Sequence, residues 1–297
     1  MRRLTVALLA ALTAAPAAAH EGHQHGIGWT WSPEIVVPFL AVLLLYLAGL
    51  AKLLRRADRG RGQLAAGAWR FLAGWAILAG ALVSPLHEAG EVSFTMHMIE
   101  HELIMLPAAL LVAAARPGPV LLWGLPPTGR QWTAPIVRWS LWRGLGSPLV
   151  ATGLQALALV AWHMPALFDR ALRSEGWHIA QHLSFTVTAL VFWWSMLRDG
   201  RSREGCFVAA ICLFATSMIG GGLGALMALD SSPWYAGYAA LGMTPFGLSP
   251  AEDQQLAGVI MWVPGGLFHL AAALLFLARG LAPERLNHGV PGGKEAA

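Results

Sequence analysis

EIVVPFLAVLLLYLAGLAKLL, residues 34–54, is an apolar stretch with a single charge near each end. A membrane core about 30 Å thick needs about 20 consecutive apolar residues in a helix, so this stretch predicts a membrane-spanning helix. The whole chain has the same character, since 56% of its 297 residues are hydrophobic and 12% are charged. Soluble domains carry about 25% charged residues, and the composition therefore indicates a polytopic membrane protein.

Apolar windows of similar length recur along the chain and leave no room for a sizeable soluble domain between them. We predict an all-α fold, a seven-transmembrane-helix bundle embedded in the lipid bilayer. The predicted spans are residues 34–54, 64–84, 92–115, 148–167, 177–197, 205–229 and 255–279.

Lysine and arginine residues predict the orientation of this bundle. They are concentrated after the first, third, fifth and seventh predicted spans, whereas the opposite side carries only Arg170 and Arg173. Cytoplasmic loops are enriched in Lys and Arg, so we expect the N-terminus outside and the C-terminus inside. The basic pI of about 9.6 then reflects topology, and nucleic acid is not an expected partner.

The two ends of the chain have their own predicted roles. Residues 1–19 combine Arg2 and Arg3, an apolar core and a small-residue end at Ala19, which is the layout of a signal peptide. An uncleaved first helix is the alternative. The predicted domains are then the signal peptide 1–19, an external His-rich segment 20–33, the transmembrane domain 34–279 and a cytoplasmic tail 280–297.

Two pairs of histidines, each with a spacing of four, predict a metal site. Residues four apart lie on one face of a helix, and ionisable groups inside a membrane helix are costly and usually functional. A further histidine at the outer end of the fourth span lies at a matching depth. The predicted ligands are His97, His101, His163, His178 and His182. Glu100 and Gln181 are the candidate acceptors that orient these imidazoles.

Copper is the predicted metal, with zinc as the alternative. Imidazole suits copper, zinc and iron, while thioethers favour copper(I). Four methionines accompany the histidines in sequence, namely Met96, Met98, Met105 and Met164. His20, His23 and His25 form a possible external capture site for the metal, and a solvated tail is the alternative for that segment.

Four blocks of sequence together resemble the CtaG family of cytochrome c oxidase assembly factors, the multi-span type. They are TMHMIEH at 95–101, AWHMPALFDRAL at 161–172, HIAQHLSFTVTALVFWW at 178–194 and AEDQQLAGVIMWVPGG at 251–266. The resemblance covers roughly residues 30 to 280. It includes the five predicted ligands and, in the last block, Asp253, Gln254 and Trp262. The signal peptide and the His-rich start lie outside it.

The resemblance implies a bacterial inner-membrane protein with its metal site on the periplasmic side. Its implied role is maturation of a haem-copper oxidase, with copper handling for the buried catalytic copper of subunit I. Oxidase subunits or other copper chaperones are the implied partners, and the implied function is assembly and metal transfer, which favours a protein that is not an enzyme.

Two other functions fit the same residues. An intramembrane zinc-dependent hydrolase would need an open coordination position and a general base such as Glu100. A b-type haem protein would use the histidine pairs as axial ligands. We find no nucleotide-binding loop and no redox cysteine pair, since Cys206 and Cys212 lie six residues apart in one apolar segment and are predicted to pack in the core.

Overall fold

The structure of the protein is a computed structural model that describes residues 27–137 and 141–282. Within these residues the chain is helical and contains no strand, which confirms the predicted all-α class. The predicted signal peptide, the predicted capture residues His20, His23 and His25, and the chain after residue 282 lie outside the described residues. The assignments made for them stay predictions.

The described helices follow one another with short connections, and one turn of π-helix interrupts them after α4. In chain order they are α1 Pro33–Arg56, α2 Arg61–Val83, α3 Pro85–Val92, α4 Phe94–Leu103, the π-helical turn Ile104–Ala108, α5 Ala109–Ala115, α6 Gly118–Gly124, α7 Pro127–Val137, α8 Leu141–Leu145, α9 Pro148–His163, α10 Pro165–Arg173, α11 Glu175–Asp199, α12 Arg203–Leu229, α13 Ala236–Leu241 and α14 Pro250–Leu281.

Five helical segments are long and apolar enough to cross a membrane, and the number is six if a bent pair counts as one span. The five are α1, α2, the continuous segment Phe94–Ala115, α12 and α14, and each overlaps a predicted span. The bent pair, α9 with α10, overlaps the fourth. The remaining predicted span, 177–197, falls in the 25-residue helix α11, whose first turns are polar. The seven-helix count and the orientation stay predictions.

The fourth predicted span, residues 148–167, is not one straight helix. Helix α9 ends at His163, Met164 is extended, and α10 leaves at an angle of 73° to α9. Pro165 explains the break, because the proline ring disfavours the helical conformation of the residue before it. The bend leaves His163 at the very end of its helix.

Helices α12 and α14 pack so closely that glycine is required where they cross. A Cβ atom on Gly224 would lie 2.7 Å from the carbonyl oxygen of Gly258, and a Cβ on Gly258 would lie 2.6 Å from the Ala228 nitrogen. Small residues are the usual means of close helix approach in membranes. Cys206 and Cys212 on α12 are unpaired and buried, so the prediction that they pack in the core is confirmed.

Candidate metal centre

Two short helices in series carry the first part of the site. Helix α3 begins with Pro85 in its first turn, and the Ser84 hydroxyl accepts a hydrogen bond from the Leu86 nitrogen. Ser93 is extended and separates α3 from α4, where its hydroxyl accepts from the Met96 nitrogen. Serine caps of this kind stabilise a helix start. Because a single extended residue separates them, α3 folds back against α4.

The N-terminus of α4 is held by a carboxylate from the distant helix α14. Asp253 is 2% exposed, and its carboxylate accepts hydrogen bonds from the Ser93 hydroxyl at 2.8 Å, the Phe94 nitrogen at 2.6 Å and the Thr95 nitrogen at 3.1 Å. A negative charge at a helix N-terminus interacts favourably with the helix dipole. Asp253 therefore fixes the position of the helix that carries His97, Glu100 and His101.

Five imidazole rings from α3, α4 and α11 form one compact group, which we call the histidine cluster: His87, His97, His101, His178 and His182. Within α4 the rings of His97 and His101 are 4.2 Å apart, and within α11 those of His178 and His182 are 4.5 Å apart. The two pairs meet, because His101 lies 5.0 Å from His182 between ring centroids. The predicted convergence of the two pairs is thus present in the fold.

His87 completes the cluster from α3. Its ring stacks on His178 at 5.4 Å with an interplanar angle of 7°, and it lies 5.6 Å from His182. Its Nδ1 is 2.7 Å from Oε1 of Glu100, which is fully buried. Burial alone would lower the pKa of His87, but the hydrogen bond and the charge of Glu100 outweigh it and raise that pKa.

Glu100 links both halves of the cluster. Its Oε1 is 3.9 Å from Nε2 of His182 as well as bonded to His87, and one ligand atom from each of these three residues lies within 4.8 Å of the others. A carboxylate that accepts from an imidazole Nδ1–H leaves Nε2 free to bind a metal and raises the basicity of the ring. Glu100 thus bonds the ring of His87, which was not among the predicted ligands, and its role in orienting the predicted ligands stays a prediction.

The chemistry of the cluster fits a metal ion. Buried polar atoms in proteins almost always have hydrogen-bond partners. In the described part of the chain, several buried atoms at the cluster have none: His97 Nε2, Glu100 Oε2, His101 Nδ1 and Nε2, and His182 Nδ1. The Nε2 atoms of His178 and His182 are hydrogen-bonded to each other at 2.8 Å. Neutral imidazoles with free nitrogens are what a metal requires.

His163 and Gln181 have different places from those the prediction gave them. The His163 Nδ1 is 2.7 Å from the Leu159 carbonyl oxygen and donates to it, which leaves Nε2 as a buried acceptor without a partner among the described residues. Its ring contacts Phe185 at 6.5 Å, and Phe185 in turn contacts His101 at 4.8 Å. His163 is therefore next to the cluster, with Phe185 contacting both. Gln181 is buried, and neither polar atom of its amide has a hydrogen-bond partner among residues 27–137 and 141–282.

Comparison with known proteins fits this geometry. The family described as cytochrome c oxidase caa3 assembly factor, Caa3_CtaG, matches residues 44–282. The chain belongs to this family. The matched range includes every residue of the histidine cluster.

Two curated relatives also match, one from Mycobacterium bovis and one from Mycobacterium tuberculosis, and both are described as uncharacterized proteins. Each is 27% identical over 245 residues, which is 79% of this chain and 36% of the relative. The chain therefore spans about a third of the length of the curated relatives it matches. No solved structure matches the chain significantly.

Sequence reasoning missed one member of the cluster in this Caa3_CtaG protein. His87 follows the second predicted span, and no second histidine lies three or four residues from it. Helix periodicity therefore gave no signal for His87. The usable signal was local: Ser84-Pro85 predicts a new helix start. A short helix there returns His87 to the depth of His97 and His101.

Other candidate residues of the family blocks have structural roles in the described chain. Gln254 is buried and bonds the backbone of the loop 230–235, with Oε1 accepting from the Trp234 nitrogen at 2.6 Å. Asp253 and Gln254, which the last block of the resemblance includes, are both buried within α14. The Met105 sulfur accepts a hydrogen bond from Gln155, and Met164 is exposed, so neither adds a thioether to the cluster.

Proposed function

We propose that the protein is a membrane assembly factor for cytochrome c oxidase that binds copper in the histidine cluster and assists its insertion into the oxidase. The observation that carries the proposal is the convergence of five imidazoles and the buried carboxylate of Glu100, with nitrogens of His97, His101 and His182 that have no hydrogen-bond partner among the described residues. A buried imidazole group without partners is costly in a membrane, and a bound metal offsets that cost. Membership of the Caa3_CtaG family supplies the link to the oxidase.

The donor set supports copper or zinc over harder metals. Imidazole nitrogen suits both ions, whereas magnesium and calcium prefer oxygen ligands. Copper is the proposed cargo because the enzyme that the family helps to assemble is a haem-copper oxidase. His97 and His101 from α4, His178 and His182 from α11, and His87 from α3 are the proposed ligand donors. Glu100 holds the ring of His87 in place.

His163 takes a secondary part in this proposal. Its Nε2 is a buried acceptor without a partner among the described residues, and the ring of Phe185 contacts both His163 and His101, so displacement of Phe185 would open a path between His163 and the cluster. His163 would then replace one of the five imidazoles of the histidine cluster as a ligand while the metal enters or leaves. The Gln181 amide, buried nearby on α11, is a proposed hydrogen-bond partner during that exchange.

The setting of the site is also part of the proposal. We place the protein in the bacterial inner membrane as a seven-helix bundle, N-terminus outside, with the cluster on the periplasmic side. His20, His23 and His25 would capture external copper and pass it inward. Oxidase subunits or other copper chaperones are the proposed partners.

Metal analysis of the purified protein tests the proposal. After dialysis against a copper salt, the wild type should retain about one copper at the cluster, and His97→Ala/His101→Ala should lose it. Ser195→Ala is a matched control, because Ser195 is buried on α11 but lies 13 residues, or about 20 Å, beyond His182. The same variants should be tested for restoring oxidase activity in a host that lacks the protein.

Three results would contradict the proposal. Full copper occupancy and normal oxidase assembly in the double variant would remove the cluster from copper handling. A Soret band in the purified protein would favour the haem reading. Stoichiometric zinc together with hydrolysis of a lipid amide would favour the alternative function, an intramembrane zinc-dependent hydrolase.

A further inference from the structure

A second group of polar and sulfur-containing side chains lies on the other side of α4, away from the histidine cluster. It lines a cavity of about 30 Å³, a volume that holds about two water molecules. The cavity lies between α4 with its π-helical turn, α9, α12 and α14. The side chains that matter are Glu102, Met105, Gln155, Ser217, Met261 and His269.

Two oxygen acceptors at this cavity have no hydrogen-bond donor. Oε2 of Glu102 and Oε1 of Gln155 are buried and without a partner in the part of the chain that the structure describes. Gln155 as a whole is 6% exposed. Its Nε2 donates to the Met105 sulfur at 3.4 Å, so the amide orientation is set and Oε1 is the free atom. Two acceptors without a donor can be satisfied by a proton on the carboxyl group, by a donor molecule or by a cation beside them.

Glycine makes the space for the carboxylate of Glu102. A Cβ atom on Gly265 of α14 would lie 2.7 Å from Oε2 of Glu102, which is closer than ordinary van der Waals contact. The carboxyl group therefore rests directly on the backbone of α14. Glu102 is two residues from Glu100, a rotation of about 200° around the helix, so the two carboxylates serve opposite faces of α4.

His269 offers a lone pair at the same cavity. Its Nδ1 is 2.9 Å from the carbonyl oxygen of Gly265. A carbonyl only accepts, so Nδ1 carries the proton and Nε2 is the unprotonated nitrogen. The ring is held by Trp193, which stacks on it at 6.0 Å and 15°, and the Trp193 indole donates to the Met105 carbonyl at 2.9 Å. The backbone of α14 thus selects the tautomer in which Nε2 is unprotonated.

We propose that this cavity is a second metal site, which takes a single copper(I) ion. The thioethers of Met105 and Met261 and the imidazole of His269 line the cavity together, and thioether ligands favour copper(I) over hard ions such as magnesium and calcium. The carboxylate of Glu102 balances the single positive charge, since an unpaired charge inside a membrane protein is costly. The volume admits one ion. The inference stands independently of copper binding at the histidine cluster.

Anaerobic titration with copper(I) in competition with bicinchoninate tests this site. The titration is made in the His97→Ala/His101→Ala background, so that the histidine cluster does not contribute. We expect about one equivalent of copper(I) to remain, and Met261→Leu or His269→Gln to weaken it at least tenfold. Met218→Leu is the matched control, because Met218 is an exposed methionine on α12 that does not line the cavity.

X-ray absorption at the copper edge separates a ligand from a merely structural residue. The bound ion should show sulfur scattering at about 2.3 Å, and that scattering should fall in Met261→Leu while nitrogen scattering remains. Glu102→Gln keeps the size of the side chain and should weaken copper(I) binding without removing sulfur scattering. Circular dichroism and gel filtration confirm that each variant is folded.

Any of three results would overturn the inference: no copper(I) bound in the double-variant background, binding that Met261→Leu and His269→Gln leave unchanged, or a bound ion with no sulfur neighbour. These results are distinct from failure of the proposed function. If mutation of the histidine cluster removes no copper, the proposed function fails, but a sulfur-ligated ion can still be present in the cavity. If the cavity binds no copper(I), the inference fails, but the histidine cluster can still bind copper.

Discussion

Replacement of Asp253 by alanine should loosen the helix that carries half of the candidate metal centre. The carboxylate accepts three hydrogen bonds at 2.6–3.1 Å and is buried. A hydrogen bond to a charged group contributes about 1.5–3 kcal/mol, but three bonds to one carboxylate are not additive, and a lost helix cap alone costs about 0.5–2 kcal/mol. We expect Asp253→Ala to lower the free energy of unfolding by about 3–5 kcal/mol.

The effect should extend to metal binding, because α4 begins at the residues that Asp253 holds. Unfolding can be followed by far-UV circular dichroism as sodium dodecyl sulfate is added to protein in a mild detergent, and copper affinity can be measured by competition under conditions in which the variant is still folded. Both quantities should fall in Asp253→Ala.

Asp169→Ala is the control for this experiment. The Asp169 carboxylate also accepts from the backbone at a helix start, at 3.0 Å from Gly237 and 3.3 Å from Ala236, but it is only partly buried and lies on α10. We expect a cost of about 1 kcal/mol and no change in copper affinity. A loss of less than about 1 kcal/mol in Asp253→Ala, or equal losses in the two variants, would refute the reasoning.

Three further predictions concern the helix crossing and the cluster. Gly224→Val should destabilise the fold by about 1–3 kcal/mol through overpacking, whereas Gly222→Val, where a Cβ meets nothing within 4 Å, should stay within about 0.5 kcal/mol in the same unfolding assay. His87→Ala should lower copper affinity more than His163→Ala does, as measured by competition, and the opposite order would exclude His87 as a ligand. Glu100→Gln should weaken copper binding about 10–100-fold with the fold intact by circular dichroism, and an unchanged affinity would show that the carboxylate does not orient the ring.

The sequence was enough to predict the helical membrane character and four of the five residues of the histidine cluster. A long apolar stretch in lipid folds as a helix, because its backbone N–H and C=O groups must then form hydrogen bonds within the segment. Five of the predicted spans coincide with apolar helices of the structure. A spacing of four places two residues on the same face of a helix. The proximity of His97 to His101, and of His178 to His182, was therefore predictable from local geometry.

Only the tertiary structure could decide which of these groups meet. His87 joins the cluster through a one-residue break at Ser93, and His163 is held beside it because Pro165 ends α9 and turns the chain. Asp253 caps α4 across a separation of about 160 residues, and Glu102 reaches a cavity closed by three other helices. Sequence periodicity assigns a face to each residue of a helix, whereas the partner of that face depends on how distant helices pack, which no local pattern records.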